Sequence, residues 1–195
     1  MSPLNRLRLA FVAPFAALAL AGCGINAIPT AEENAKAKWA EVQNNYQRRA
    51  DLIPNLVATV KAAGAQEKDI LTEVTQARAS ASQVKVSGDD LTDPAKVAAY
   101  QRAQAGVSLS LQRLQEAYPE LKSQGNYATL MSQLEGTENR ISIARRDYND
   151  AVQAYNTQVR TFPNSIGAKI FYGAKPMQPF EATTPNAEAA PKVSF

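Results

Sequence analysis

Glu135 and Glu138, three residues apart, are the nearest this chain comes to a pair of working carboxylates. Glycoside hydrolysis asks for two acids facing each other across a sugar-sized cleft. Here both acids fall on one helix face, with Arg140, Arg145 and Arg146 close behind, which is the pattern of a salt-bridged helix flank. Arg48, Arg49 and Asp51 make a second charged group, read as ion pairs to that helix rather than as an anion site. The specific expectation is that Arg48 or Arg49 reaches Glu135 or Glu138 across a bundle. The rest of the catalytic repertoire is thin. There is no histidine, hence no imidazole base and no His-containing zinc site, and one cysteine, hence no intramolecular disulfide or cysteine cluster. No Gly-rich phosphate loop or metal-ligand spacing occurs. The expectation is a protein with no catalytic residues, no metal site and no cofactor.

The lone cysteine has a different chemistry open to it. Arg6 and Arg8 precede an apolar run from Leu9 to Ala21, too short for the roughly 20 residues a bilayer-crossing helix needs. A basic start, a short apolar stretch and small residues at its end describe a secretory signal peptide. Its last residues, Leu20, Ala21, Gly22 and Cys23, resemble the bacterial lipobox. That resemblance implies cleavage before Cys23, a diacylglycerol on its sulfur and an acyl chain such as palmitate on its amine. Several chains on one residue anchor far more firmly than one, at roughly 0.8 kcal/mol per buried methylene. The competing reading is a chance cysteine in an uncleaved anchor or an ordinary signal peptide.

The expected location is therefore the cell envelope, outside the cytoplasm, with a periplasmic domain if there are two membranes. Gly24 is not the Asp that usually retains such lipoproteins at an inner membrane, which favours the outer one. Formal charge is +3, but the leader holds two Arg and no acid, leaving 19 basic and 18 acidic residues. A nearly neutral exported chain has no electrostatic reason to seek nucleic acid.

The remaining sequence reads as helices. Pro29, Thr30 and Glu33 look like a helix start, with Thr30 as cap and Glu33 at the reciprocal capping-box position. Trp39, Val42, Tyr46, Ala50, Ile53, Val57 and Val60 then recur at steps of three and four. Pro54 inside that stripe predicts a kink or break near Leu52 and Ile53, and Gly64 an end. A second, alanine-rich helix is expected over about 66–84, with Ile70, Leu71, Val74, Ala77 and Ala81 inward. Asp93-Pro94 opens a third, which carries Val97, Tyr100, Val107, Leu111 and Leu114 until Tyr118-Pro119 stops it. The fourth begins near Asn126 and has the clearest pattern: Tyr127, Leu130, Leu134, Thr137, Ile141, Ala144, Tyr148, Ala151, Tyr155, Gln158 or Val159, and Phe162. That stripe predicts a rod of about 50 Å, with the first helix as its only equally long partner.

The fold class is thus all-α, an elongated antiparallel bundle of about four helices, long at first and last. A coiled coil between chains is the alternative use of the heptads. Ile166, Ile170, Phe171 and Tyr172 form an apolar cluster, followed by an extended segment to Phe180. The stretch 166–182 is expected to pack back on the bundle, with a docking peptide as the alternative. Tyrosine hydroxyls on the stripes need partners, for which Asn149, Asn156 or water would serve. The resulting organisation is a leader over 1–22, a lipidated linker over 23–29, a bundle over 30–182 and a disordered tail over 183–195.

Several blocks resemble the bacterial LemA family. They are Trp39-Ala40-Glu41-Val42, then Arg48-Arg49-Ala50-Asp51-Leu52-Ile53-Pro54-Asn55-Leu56-Val57, and Ala117-Tyr118-Pro119-Glu120-Leu121-Lys122. Next come Leu134-Glu135-Gly136-Thr137-Glu138-Asn139-Arg140-Ile141 and Ala144-Arg145-Arg146-Asp147-Tyr148-Asn149-Asp150, running on to Tyr155-Asn156. Phe162-Pro163 and Phe180-Glu181-Ala182 also fit, so the likeness spans about 34–182. It implies a helical bundle held outside a membrane by its N-terminus, and it implies no reaction. Many members appear with an N-terminal transmembrane helix; the lipobox here is a departure that bears on which membrane is served.

Three function classes follow. The first is a non-enzymatic lipoprotein scaffold or adaptor for unknown envelope proteins, held to the membrane by its N-terminal lipid. The second is a self-assembling, membrane-organising homo-oligomer. A distant third is an enzyme with a carboxylate site.

Overall fold

The computed structural model describes residues 26–64 and 68–181. The leader, Leu20 to Cys23 and the tail over 183–195 lie outside the described residues. Helix α1 runs Ala27–Ala62, α2 Lys68–Gln83, α3 Pro94–Ala117 and α4 Gly125–Arg160, with a four-residue α5 at Asn164–Gly167. Among the described residues there is no strand, so the fold is all-α. Helices α1 and α4, each of 36 residues, form the principal contact, and α2 packs on α3 as a shorter hairpin beside them. Arg49 meets Glu138 and Trp39 meets Tyr148, which makes α1 and α4 antiparallel and nearly in register along about 54 Å. The heptads of α4 are thus spent within the chain.

Local chemistry explains most boundaries. Asp93 Oδ1 accepts from Ala95 N at 2.9 Å and Lys96 N at 3.3 Å, and Pro94 sits at the first helical position, where no donor is needed. Gly64 adopts φ +86° just past α1, a conformation that stops a helix and suits glycine. The expected stripe of α4 is inward from Tyr127 to Val159, with Leu130 only half-buried and Met131 and Val152 buried in addition.

Three expectations need correction. First, α1 begins at Ala27 rather than at a Thr30 cap. Thr30 lies inside the helix and its hydroxyl donates to Asn26 O at 2.8 Å. Pro29 is tolerated in a first turn, whose amides have no intrahelical partners, and burial of Ile28 at 1% exposure selects the earlier start. Second, of the kink or break expected near Leu52 and Ile53, the break does not occur, and α1 runs on through Pro54. Proline there denies Ala50 O its usual amide donor four residues on, and Arg78 Nε of α2 donates to that oxygen at 2.7 Å instead. Burial of Ile53 and Leu56 on either side of the exposed proline holds the helix together.

Third, Phe162 does not close the inward stripe. α4 ends at Arg160, Thr161 is extended at φ −97° and ψ 141°, and Phe162 is turned out to 79% exposure. The cluster of Ile166, Ile170, Phe171 and Tyr172 does not pack back either, and all four are exposed. The chain reverses at Gly173, φ +56°, and only the following stretch returns to the bundle, with Met177 and Phe180 buried.

Candidate functional site

The core divides into two apolar clusters along the rod. One centres on Trp39, Tyr100 and Tyr148 and runs down to Tyr46 and Ile141. The other runs from Ile53 and Leu134 toward Leu114 and Tyr127. Between them lies a polar layer built on Arg49, which is 1% exposed.

Arg49, on α1, reaches both α3 and α4 at once. Its Nη1 donates to Glu138 Oε1 on α4 at 2.8 Å and to Ser108 Oγ on α3 at 2.7 Å. Nη2 donates to the Gln104 main-chain O at 3.0 Å and to Gln104 Oε1 at 2.7 Å. The guanidinium also lies over the Tyr46 ring, 4.9 Å from its centroid. Burying a cation is costly unless its donors are satisfied and its charge is answered, and here both conditions are met. A slip of α1 against α4 would separate Arg49 from Glu138, so this layer pins register. Burial pushes the neighbouring Tyr46 and Tyr100 hydroxyls above their usual range, keeping both neutral.

Of the cross-bundle pairs expected from sequence, the structure forms Arg49 with Glu138. Arg48 is exposed, and Asp51 accepts from Gln47 Nε2 on its own helix at 2.7 Å rather than reaching α4. Glu135, Asn139, Arg140 and Pro54 are exposed on the flanks. Glu135 and Glu138 both line a half-open groove of about 380 Å³ with Met131, Leu134 and Leu111. One of those two acids is already engaged by the buried arginine, so the groove presents Glu135 beside apolar walls. Among the described residues no group of three potential metal-ligating side chains comes together.

A second constellation was missed from sequence. The extended stretch after Gly173 runs antiparallel along α4 and is clamped by two Tyr-Asn doublets seven residues apart. Asn149 Nδ2 donates to Phe180 O at 3.0 Å while its Oδ1 accepts from Phe180 N at 2.7 Å. Asn156 treats Met177 the same way, at 2.9 Å and 2.8 Å. Seven helical residues rise about 10.5 Å and three extended residues about 10 Å, so the two repeats match. The tyrosine hydroxyls are satisfied by the same strap rather than by the asparagines: Tyr148 donates to Gln178 O at 2.9 Å and Tyr155 to Lys175 O at 3.2 Å. Gln101 Nε2 on α3 donates to Pro179 O at 3.2 Å, and Phe180 stacks on Trp39 with ring centroids 5.5 Å apart. The legible signal was the Tyr-Asn repeat at 148–149 and 155–156, set against apolar Met177 and Phe180.

The model of the LemA family matches residues 38–195. Magnetosome proteins MamQ 1 and MamQ 2 of Paramagnetospirillum magneticum (strain ATCC 700264 / AMB-1) are each 28% identical over 157 residues, covering 71% of this chain and 58% of theirs. Magnetosome protein MamQ of Magnetospirillum gryphiswaldense is 27% identical over the same coverage. The chain thus spans a little over half the length of these relatives. Among the described residues no helix is long and apolar enough to cross a membrane.

Proposed function

Since the chain belongs to the LemA family, we propose that it is a non-enzymatic envelope lipoprotein, a helical scaffold or adaptor held to a membrane through acylated Cys23. The coarser part, a membrane-associated protein of no known enzymatic activity, is supported by the family and by the likeness to the MamQ proteins. The finer part rests on Leu20-Ala21-Gly22-Cys23, which ends four residues before α1 begins. The observation that carries the scaffold reading is how the polar groups are used. Arg49, Gln101, Gln104, Asn149 and Asn156 are committed to holding helices and strap together, and Arg49 takes up Glu138 as well. What the rod offers outward is surface, and a scaffold works by surface.

An affinity pull-down of the acylated protein from membranes, compared with Cys23→Ser, tests this. Discrete envelope proteins should accompany the acylated form and be lost with the variant. A protein that comes down alone and monomeric in both cases sinks the scaffold reading. The second reading, side-by-side assembly into a membrane-organising coat, is favoured by Leu109 and Ile143, exposed at 49% and 43% on the flanks of α3 and α4. Cross-linking of the acylated protein would then give large ordered assemblies instead of foreign partners.

A further inference from the structure

Five of the seven large apolar side chains exposed among the described residues crowd into one short stretch: Phe162, Ile166, Ile170, Phe171 and Tyr172, at 42–79% exposure. They occupy the turn between α4 and the strap. Asn156 and Tyr155, which clamp Met177 and Lys175 just behind, fix the base of that turn, and Ala168 is its buried foot. The apolar side chains are therefore held outward by a fastened base.

The charge on the turn's own segment is one-signed. Residues 151–180 contain no Asp or Glu, while Arg160, Lys169 and Lys175 are all exposed. The α4–strap turn itself thus carries an excess of three cations around an apolar tip, while the acids that α1 brings to the same end, Glu32 and Glu33, pair with Lys36. Aromatic and aliphatic residues ringed by lysine and arginine suit the boundary between headgroups and acyl chains of an anionic bilayer.

The register of the long helices says where this tip stands. With Arg49 opposite Glu138 and Trp39 opposite Tyr148, the C-terminal end of α4 lies beside the N-terminal end of α1. Cys23 is four residues before Ala27, a span of at most about 14 Å. We propose that the α4–strap turn is a membrane-contact face that seats Phe162, Ile166, Ile170 and Phe171 in the outer part of an anionic lipid leaflet, next to the N-terminal anchor. Two contacts at one end stand the rod away from the bilayer, so that its far end, near Gly64 and Tyr118, reaches about 50 Å outward. The position beside the anchor rests on the acylated-Cys23 reading, whereas the apolar and basic character of the face does not.

The test uses the full chain, purified from membranes and reconstituted in phosphatidylcholine–phosphatidylglycerol vesicles. Nitroxide labels are placed at Phe171→Cys and Ile170→Cys, with Ile143→Cys on the mid-length flank for comparison, and Trp39 fluorescence checks folding. At positions 170 and 171 the label should lose access to a water-soluble nickel reagent and gain access to oxygen, while position 143 does neither. Lys169→Glu with Lys175→Glu should weaken the effect in anionic vesicles. Nickel access at 171 equal to that at 143 overturns the proposal. So does protection without oxygen access, or spin–spin broadening between chains, because a protein would then be the occupant. Label stoichiometry judges the anchor separately. One label per chain means the Cys23 sulfur is occupied, and two labels mean it is free.

Discussion

Removing the charge of Glu138 should cost more than removing Arg49 itself. Arg49 is 1% exposed, whereas the Glu138 side chain is 41% exposed. Glu138→Gln keeps an acceptor near Nη1 but strands a buried cation, whose remaining partners are Ser108 and Gln104. Breaking a buried pair from one side costs about 3–5 kcal/mol, and water at the half-exposed carboxylate lowers this to about 2–3 kcal/mol. Arg49→Met removes the charge and keeps most of the stem. It leaves Glu138 able to turn to water and the Gln104 amide short of one donor, for about 1–2 kcal/mol. In the Arg49→Met background, Glu138→Gln should then cost almost nothing, giving a coupling of about 2 kcal/mol. Urea unfolding followed by Trp39 fluorescence measures all four corners, since this is the only tryptophan and it is buried in the aromatic cluster. Equal costs for Glu138→Gln in both backgrounds would refute the reasoning, as would a cost below about 0.5 kcal/mol in the native background.

Arg78→Ala should destabilise by about 1 kcal/mol by freeing Ala50 O, and by less once Pro54→Ala restores a helical donor to that oxygen; urea midpoints of the four proteins check it. Replacing both clamps, Asn149→Leu with Asn156→Leu, removes four strap hydrogen bonds and should open the chain to chymotrypsin at the otherwise buried Phe180 while circular dichroism stays helical. Lys96, the Ser87 hydroxyl and the Ser87 amide all donate to Asp90, which holds its carboxyl well below the usual range. Its contribution is therefore fully present above about pH 4 and lost as pH falls below that, so the stability gap between the native protein and Asp90→Asn should shrink on acidification. Burial raises Tyr46, Tyr100 and Tyr148, so stability should also fall as pH climbs past about 10, where the unfolded tyrosines ionise first.

The helical stripe of α4 was legible because the same three-and-four step repeats for five heptads, so no single residue has to carry the inference. Asp93-Pro94 was legible because cap and first-turn chemistry are local. Whether Pro54 breaks α1 was not legible, for the complementary reason. The oxygen it orphans is rescued by Arg78, and nothing in the spacing of α1 announces a donor on another helix. That Arg48 or Arg49 meets Glu135 or Glu138 was legible from charge, but which pair forms was not, and neither were Gln104 and Ser108. Their role depends on where α3 crosses the long pair. That the chain returns to the bundle before 182 was legible from Met177 and Phe180, but the clamps were not, because they lie 21 and 31 residues away and are side-chain amides, which local periodicity does not register. The stripe extended to Phe162 runs one turn too far, past the point where Thr161 leaves helical geometry.

Lipid at Cys23 is the central proposal, and mass spectrometry of the N-terminus of protein recovered from its native membranes tests it most directly. The expected mature chain begins at Cys23 and carries diacylglyceryl and acyl mass on that residue. A soluble chain with an unmodified cysteine, or one cleaved elsewhere, would contradict it.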